Sequence, residues 1–120
     1  MSMEEDLYAL LEPLAPAVIW GSFDDVTEFP RITMQRISTV TDYSLKARAD
    51  LERARVQVTV YGHDPDEILA LGRKISTTLT GYRGGSLIRI KELTRRDSHV
   101  ETGGDVIRLQ MLDVQVRYRA

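Results

Sequence analysis

The chain has two histidines, His63 and His99, and no cysteine. A histidine acting as a general base needs a nucleophile or a proton donor within hydrogen-bond reach, and a metal site needs further ligands at suitable spacing. Neither His63 nor His99 has such company in the sequence, and both read as surface-loop histidines. Asp64, Asp66 and Glu67 place three carboxylates within four residues. They could bind a divalent cation. Asp followed by Pro is also how a helix opens, with the later acids favouring its positive end, and that reading is the stronger one. Gly81-Tyr82-Arg83-Gly84-Gly85 superficially suggests a phosphate loop. It lacks the glycine spacing and the Lys-Ser/Thr pair, and it follows a helix instead of opening one. It reads as a helix stop and a turn. The sequence therefore predicts no enzyme: no catalytic residue, no cofactor and no metal.

The arginines carry more information. There are thirteen of them against three lysines. Arg53 and Arg55 are two apart, as are Arg89 and Lys91, and Arg117 and Arg119. In a strand each pair shares a face. One reading is the solvated side of a sheet. Another is a polar protein–protein interface, because arginine forms forked pairs with carboxylates and is enriched at interfaces. DNA contact is the weaker third option, since the pI is about 5.7 and dedicated nucleic-acid binders are strongly basic.

The charge layout sharpens the interface reading. The net charge is only −2. Residues 1–30 nevertheless hold seven acids and no Lys or Arg, while all 16 basic residues and eleven acids lie in 31–120. An acidic N-terminal surface on one copy could meet an arginine-rich face on another.

The 120 residues, 42% hydrophobic, predict one domain spanning 1–120 with a real core. No apolar run approaches the 18 or so residues that would span a membrane. The acidic start MSMEED is the reverse of a signal peptide. The chain is expected to fold in a cytoplasm, without disulfides.

The elements that position these residues follow from periodicity. Residues 3–12 predict a helix, with Leu7, Leu10, Leu11 and Leu14 on one stripe and Pro13 and Pro16 ending it. Residues 17–20 allow a short strand. Residues 31–39 predict a strand in which Ile37 breaks the alternation. Residues 40–50 read as a polar connection. Residues 52–61 are the clearest strand: Ala54, Val56, Val58 and Val60 face one way, Arg53, Arg55, Gln57, Thr59 and Tyr61 the other. A helix from Asp64 to about Thr80 buries Ile68, Leu71, Ile75 and Leu79, and Gly81 suits its left-handed C′ position. Residues 86–96 predict a strand with Ile88 and Ile90 on one face and Leu87, Arg89, Lys91 and Leu93 on the other. Residues 97–104 read as a loop. Residues 105–119 predict a last strand whose apolar parity changes near Met111–Leu112, as one extra bulge residue would cause. The expected fold is α+β, a mainly antiparallel four-stranded sheet with two helices packed on one face.

Several segments together resemble a known group. Residues 53–61 (RARVQVTVY), the Asp-initiated helix, 79–84 (LTGYRG), 114–119 (VQVRYR), 7–11 (LYALL) and 29–37 (FPRITMQRI) are similar to the small tail completion, or tail terminator, proteins of long-tailed bacteriophages and prophages. The likeness covers nearly the whole chain; its acidic start departs from the pattern. The resemblance implies a structural virion protein without catalytic residues. It further implies a homo-hexameric ring that caps the tail tube, contacts the tail tube protein and the head connector or stopper, and lets DNA pass without sequence-specific contact. Such a protein works in the virion, at the tail end facing the head, after assembly in the host cytoplasm. The expected oligomer or tail interface comprises Arg53, Arg55, Gln57 and Thr59 on the polar strand face. Tyr43, Lys46 and Arg48 from the connection join them, with Arg95 and Arg96 beside loop 97–104. The competing expectations are a head-side adaptor or minor tail protein, and a small non-viral ligand-binding α+β domain.

Overall fold

The computed structural model describes residues 2–21, 29–43 and 48–119; for 41–43, 48–50, 102 and 105 it describes the backbone. Helix α1 (Met3–Leu11) opens on a capping box. The Glu5 amide donates to Ser2 Oγ at 3.2 Å, and the Ser2 amide donates to the Glu5 carboxylate at 3.3 Å. Two amide groups at the helix start are thereby satisfied reciprocally. Met3, Leu7 and Leu11 are buried, while Leu10 and Leu14 pack partly against the same core. A single 3₁₀ turn containing Pro13 ends the helix.

Strand β1 (Ala17–Trp20) follows, then β2 (Arg31–Tyr43), β3 (Arg48–Gly62), helix α2 (Pro65–Leu79), β4 (Leu87–Thr102) and β5 (Asp105–Arg119). The strands form one sheet in the order β1-β2-β3-β5-β4. Four strands are expected from the sequence; the sheet has five, because the short β1 pairs in parallel with β2, Ala17 opposite Arg31 through Trp20 opposite Met34. The other neighbours are antiparallel.

Both helices pack on one face, as the apolar stripes require. Ala54, Val56, Val58 and Val60 of β3 are wholly buried there, with Leu112, Val114 and Val116 of β5. Ile68, Leu71, Ile75 and Leu79 of α2 complete a core shared with α1. Each such side chain contributes roughly 1.5–3 kcal/mol on burial. Asp64 caps α2 by accepting from the Asp66 amide at 3.0 Å, and Gly81 beyond its end has a φ of 77°, as a left-handed terminator needs.

Two sequence expectations about register fail for physical reasons. The parity change along β5 is not a bulge. β3 and β5 pair continuously from Leu51 opposite Arg119 to Gly62 opposite Arg108. Leu109 and Met111 lie on the outer face, opposite Tyr61 and Thr59, so at that end both faces of the sheet carry apolar groups. The register shifts lie instead in β2 and β4. The one between Arg36 and Ser38 accounts for Ile37, which is half exposed. The one between Leu87 and Arg89 lets both Leu87 and Ile90 reach the core, where strict alternation would pair Ile88 with Ile90.

Segments 40–50 and 97–104 are expected to be loops; their residues 40–43, 48–50 and 97–102 are strand. β2 and β3 stay paired out to Tyr43 opposite Arg48, beyond Leu51, where β5 ends its pairing with β3. β4 and β5 stay paired out to Thr102 opposite Asp105, beyond Gly62 at the other end of β3. The two hairpins thus project from opposite ends of the sheet, and the molecule measures 58 × 24 × 23 Å.

Candidate assembly interface

The outer face of the sheet, away from the helices, holds the four β3 residues expected at an interface. Arg53, Arg55, Gln57 and Thr59 alternate along β3 on this face. Their neighbours across β5 and β4 form rows. Arg53 faces Arg117, which faces Arg89; Arg55 faces Gln115, which faces Lys91; Gln57 faces Asp113, which faces Thr94. Two rows are therefore cationic and the third holds a carboxylate. Neighbours in a row are about 4.8 Å apart and successive rows about 6.7 Å.

That carboxylate was not expected from the sequence. Asp113 is buried. Arg55 Nη2 donates to its Oδ2 at 2.7 Å, and Thr94 Oγ1 donates to the same oxygen at 3.3 Å. Arg55 is thus engaged within the chain. Gln57 Nε2 donates to Met111 Sδ at 3.3 Å, and Thr59 is buried. Of the four β3 residues, Arg53 and Arg55 are exposed. Beside Arg53, a shallow pocket of about 210 Å³ is lined by Arg89, Lys91, Gln115 and Arg117.

The remaining predicted residues scatter. Tyr43 and Arg48 face each other as backbone partners in the β2–β3 hairpin, and Lys46 lies outside the described residues. Arg95 and Arg96 are adjacent on β4 and point to opposite faces, opposite Leu112 and Met111 respectively. Arg95 Nε stands 3.6 Å from Glu92 Oε1. Arg96 is about 20 Å along the sheet from the Arg53 row. His63 packs against Phe29, ring centroids 4.4 Å apart. His99, expected in a loop, is in β4 opposite Arg108. Among the described residues no three His, Asp or Glu side chains come together as a metal site would need, and no helix is long and apolar enough to cross a membrane.

The other end of the outer face is a groove of about 680 Å³ lined by Phe29, Arg31, Gln35, Tyr61, Leu109 and Met111 among others. The Arg31 guanidinium stacks over the Phe29 ring at 3.9 Å. The sequence signal for this groove was the parity change in β5. Exposed apolar side chains flank the face on both hairpins: Ile37 and Val40 on β2, and Leu93, Val100 and Val106 on β4 and β5.

Three of the seven N-terminal acids are engaged within the chain. Glu4 forms an ion pair with Arg36, and Glu5 is used in the capping box. Asp6 accepts from both the Ser86 hydroxyl at 2.5 Å and the Ser86 amide at 2.9 Å. Those two hydrogen bonds hold its carboxyl below the usual range, with the hydroxyl the larger cause. Asp24, Asp25 and Glu28 lie outside the described residues. The same region is tied down elsewhere: Trp20 Nε1 donates to the Glu4 carbonyl at 3.0 Å. Tyr118 donates to Glu52 Oε2 at 2.8 Å. Burial pushes the Tyr118 phenol up, and this hydrogen bond adds to the shift.

No family model and no curated protein matches the chain. Its fold has a counterpart among solved structures, in a chain from the "Virion of native gene transfer agent (GTA) particle". The two superpose with a TM-score of 0.68 at 16% identity, over 95% of this chain and 84% of that chain. At that identity the likeness is one of fold.

Proposed function

We propose that this chain is a structural, non-enzymatic subunit of a phage-like virion and, within it, a tail terminator. The single observation that carries the reading is the shared fold with a chain of a gene transfer agent virion, over nearly the full length of this one. The short motifs that resemble tail completion proteins narrow it to the junction between tail and head.

In this reading copies associate head to tail into a hexameric ring that caps the tail tube and presents its other side to the head connector, with DNA passing through. Head-to-tail contacts use two different patches on each subunit, and they close into a ring when the rotation allows. The shape of the subunit suits this. Its two hairpins project from opposite ends of the sheet. Exposed Val100 and Val106 lie on the projecting part of the β4–β5 hairpin, and exposed Ile37 and Val40 lie on β2 beyond its pairing with β1, alongside the part of β3 that β5 covers. Isolated apolar side chains are ordinary on a surface. Placed on a projecting hairpin and on an edge strand, they are within reach of a neighbour.

The test is positional. A tagged copy should label the head-proximal end of assembled tails in electron micrographs, and tails assembled without the protein should run to irregular lengths. Labelling of the head shell, or of the distal tip, would instead favour an adaptor or a minor tail protein.

A further inference from the structure

We propose that the outer edge of β4, from Thr94 to Thr102, pairs antiparallel with the same edge of a second copy of this chain, about a two-fold axis at Ser98. This goes beyond the tail-terminator reading and does not rest on it. A two-fold contact uses one patch twice, whereas a ring contact uses two different patches.

β4 lies at one border of the sheet, with β5 as its neighbour. Its two halves differ. The first half is protected in the way edge strands usually are. The Gly81 amide donates to the Ile90 carbonyl at 3.1 Å, and Gly84 exchanges backbone hydrogen bonds with Leu87. Register shifts fall between Leu87 and Arg89 and between Glu92 and Thr94. From Thr94 to Thr102 the register is unbroken, the segment holds no Pro or Lys, and among the described residues no strand pairs with its outer side. Every residue from Leu93 to Glu101 is exposed. Beyond His99 and Arg108, where β3 has ended, β4 and β5 form a two-stranded arm. Such an arm is marginal in water by itself; a second arm alongside makes it four-stranded.

The charges select the partner. Pairing about Ser98 sets Arg95 opposite the partner's Glu101 and Asp97 opposite the partner's His99, each twice by symmetry. Opposite charges directly across two strands attract, and like charges destabilise. Arg108 stands opposite His99 on β5 and adds positive charge beside the incoming Asp97. Other registers that keep both helix layers on one side fare worse. An axis at Arg96 or at Asp97 sets that residue against its own copy, and an axis at His99 sets Asp97 against Glu101. In-chain bonds leave room for the contact. Gln110 Nε2 donates to Asp97 Oδ1 at 2.8 Å, and Oδ2 remains. Arg95 Nε is 3.6 Å from Glu92 Oε1, a long and partly exposed pair of little worth.

The test uses the full 120-residue chain, which has no cysteine, so one introduced thiol reports the contact. Ser98→Cys puts two Cβ atoms about 4.5–5.5 Å apart across the axis, close enough for a disulfide after small adjustment. Mild oxidation should link that variant into a covalent dimer. Arg96→Cys, set opposite the partner's Val100, should stay unlinked. Sedimentation equilibrium then tests the charges. Arg95→Glu or Glu101→Arg alone sets like charges opposite each other at two places, and should weaken the dimer about 10-fold. The double variant Arg95→Glu/Glu101→Arg restores both pairs and should return the dissociation constant to within about twofold of the parent's. Should a charge variant not fold, the cysteine comparison decides alone. Three outcomes overturn the proposal: a parent chain that is monomeric at about 100 μM, Ser98→Cys linking no faster than Arg96→Cys, or a folded double variant as weak as the single ones.

Discussion

Arg55 Nη2 lies 2.7 Å from Asp113 Oδ2, joining neighbouring strands on the outer face of the sheet. The Asp113 side chain is 6% exposed and that of Arg55 is 49%, so the pair is asymmetric. The arginine keeps much of its hydration, while the carboxylate depends on its partners, Arg55 and Thr94. Removing the arginine leaves a buried charge poorly compensated, which costs more than the pair itself contributes. Arg55→Glu should destabilise the monomer by about 1–3 kcal/mol, after discounting for the exposed side of the pair. Denaturant unfolding would measure it. Arg53→Glu, two residues away, leaves the Arg55–Asp113 pair in place and should cost less than Arg55→Glu. The contrast fixes how assembly must be probed, because reversing both arginines together would confuse folding with association.

Gly72 and Gln110 give a prediction whose sign depends on background. A Cβ on Gly72 would fall on Gln110 Oε1, and Gln110 is buried with Nε2 bonded to Asp97 at 2.8 Å. Gly72→Ala should therefore cost about 1–3 kcal/mol, as overpacking does. In a Gln110→Ala background the clash disappears. Alanine's better helix propensity should then make the same change neutral, or stabilising by up to about 1 kcal/mol. A double-mutant cycle reads both values.

Asp6 sets a pH dependence. Its carboxyl is held low in the folded chain by the Ser86 hydroxyl and amide. A group with a lowered folded pKa contributes stability above its unfolded value, here about 3.8, and loses it as pH falls through the folded value. The stability difference between the parent chain and Asp6→Asn should be flat from pH 7 to about 5 and shrink below about 4. A difference that grows on acidification would mean the carboxylate is not the favoured form.

Exposed valines on β2 and on the β4–β5 hairpin separate folding from association. Val40 is 52% exposed and Val100 48%. Val40→Asp and Val100→Asp should each leave monomer stability within about 0.5 kcal/mol. Each should also abolish assembly, because a charge would be buried in an apolar contact. Copies carrying only one change, mixed with parent chains, should cap growing assemblies, since head-to-tail contacts use different patches. Light scattering and unfolding curves on the same samples check both halves.

Much of this architecture was legible in the sequence where periodicity and capping agree. The alternation of Ala54 to Val60 and of Arg53 to Tyr61 sets both faces of β3. Asp64-Pro65 and Gly81 bracket α2. The hairpin extensions were not legible, because residues 40–50 and 97–102 are polar enough to read as loops. The strand state of 40–43 and 97–102 comes from pairing with β3 and β5, which no local pattern reports. β1 was seen as a strand, but its parallel place beside β2 depends on tertiary contacts. At the interface, the cationic residues were visible as spacing along each strand. The rows they form needed the cross-strand register. Asp113, flanked by Leu112 and Val114, looked like one position of an apolar strand, and nothing local marks it as the counterion of Arg55.

The most direct test of the tail-terminator account is the mass of the purified chain in solution, measured alone and after mixing with tail tubes. The account predicts that with tubes the 13.6 kDa chain co-migrates as a ring of six copies at the tube end, whether or not the ring forms beforehand. A chain that stays monomeric and leaves the tubes unbound would contradict it.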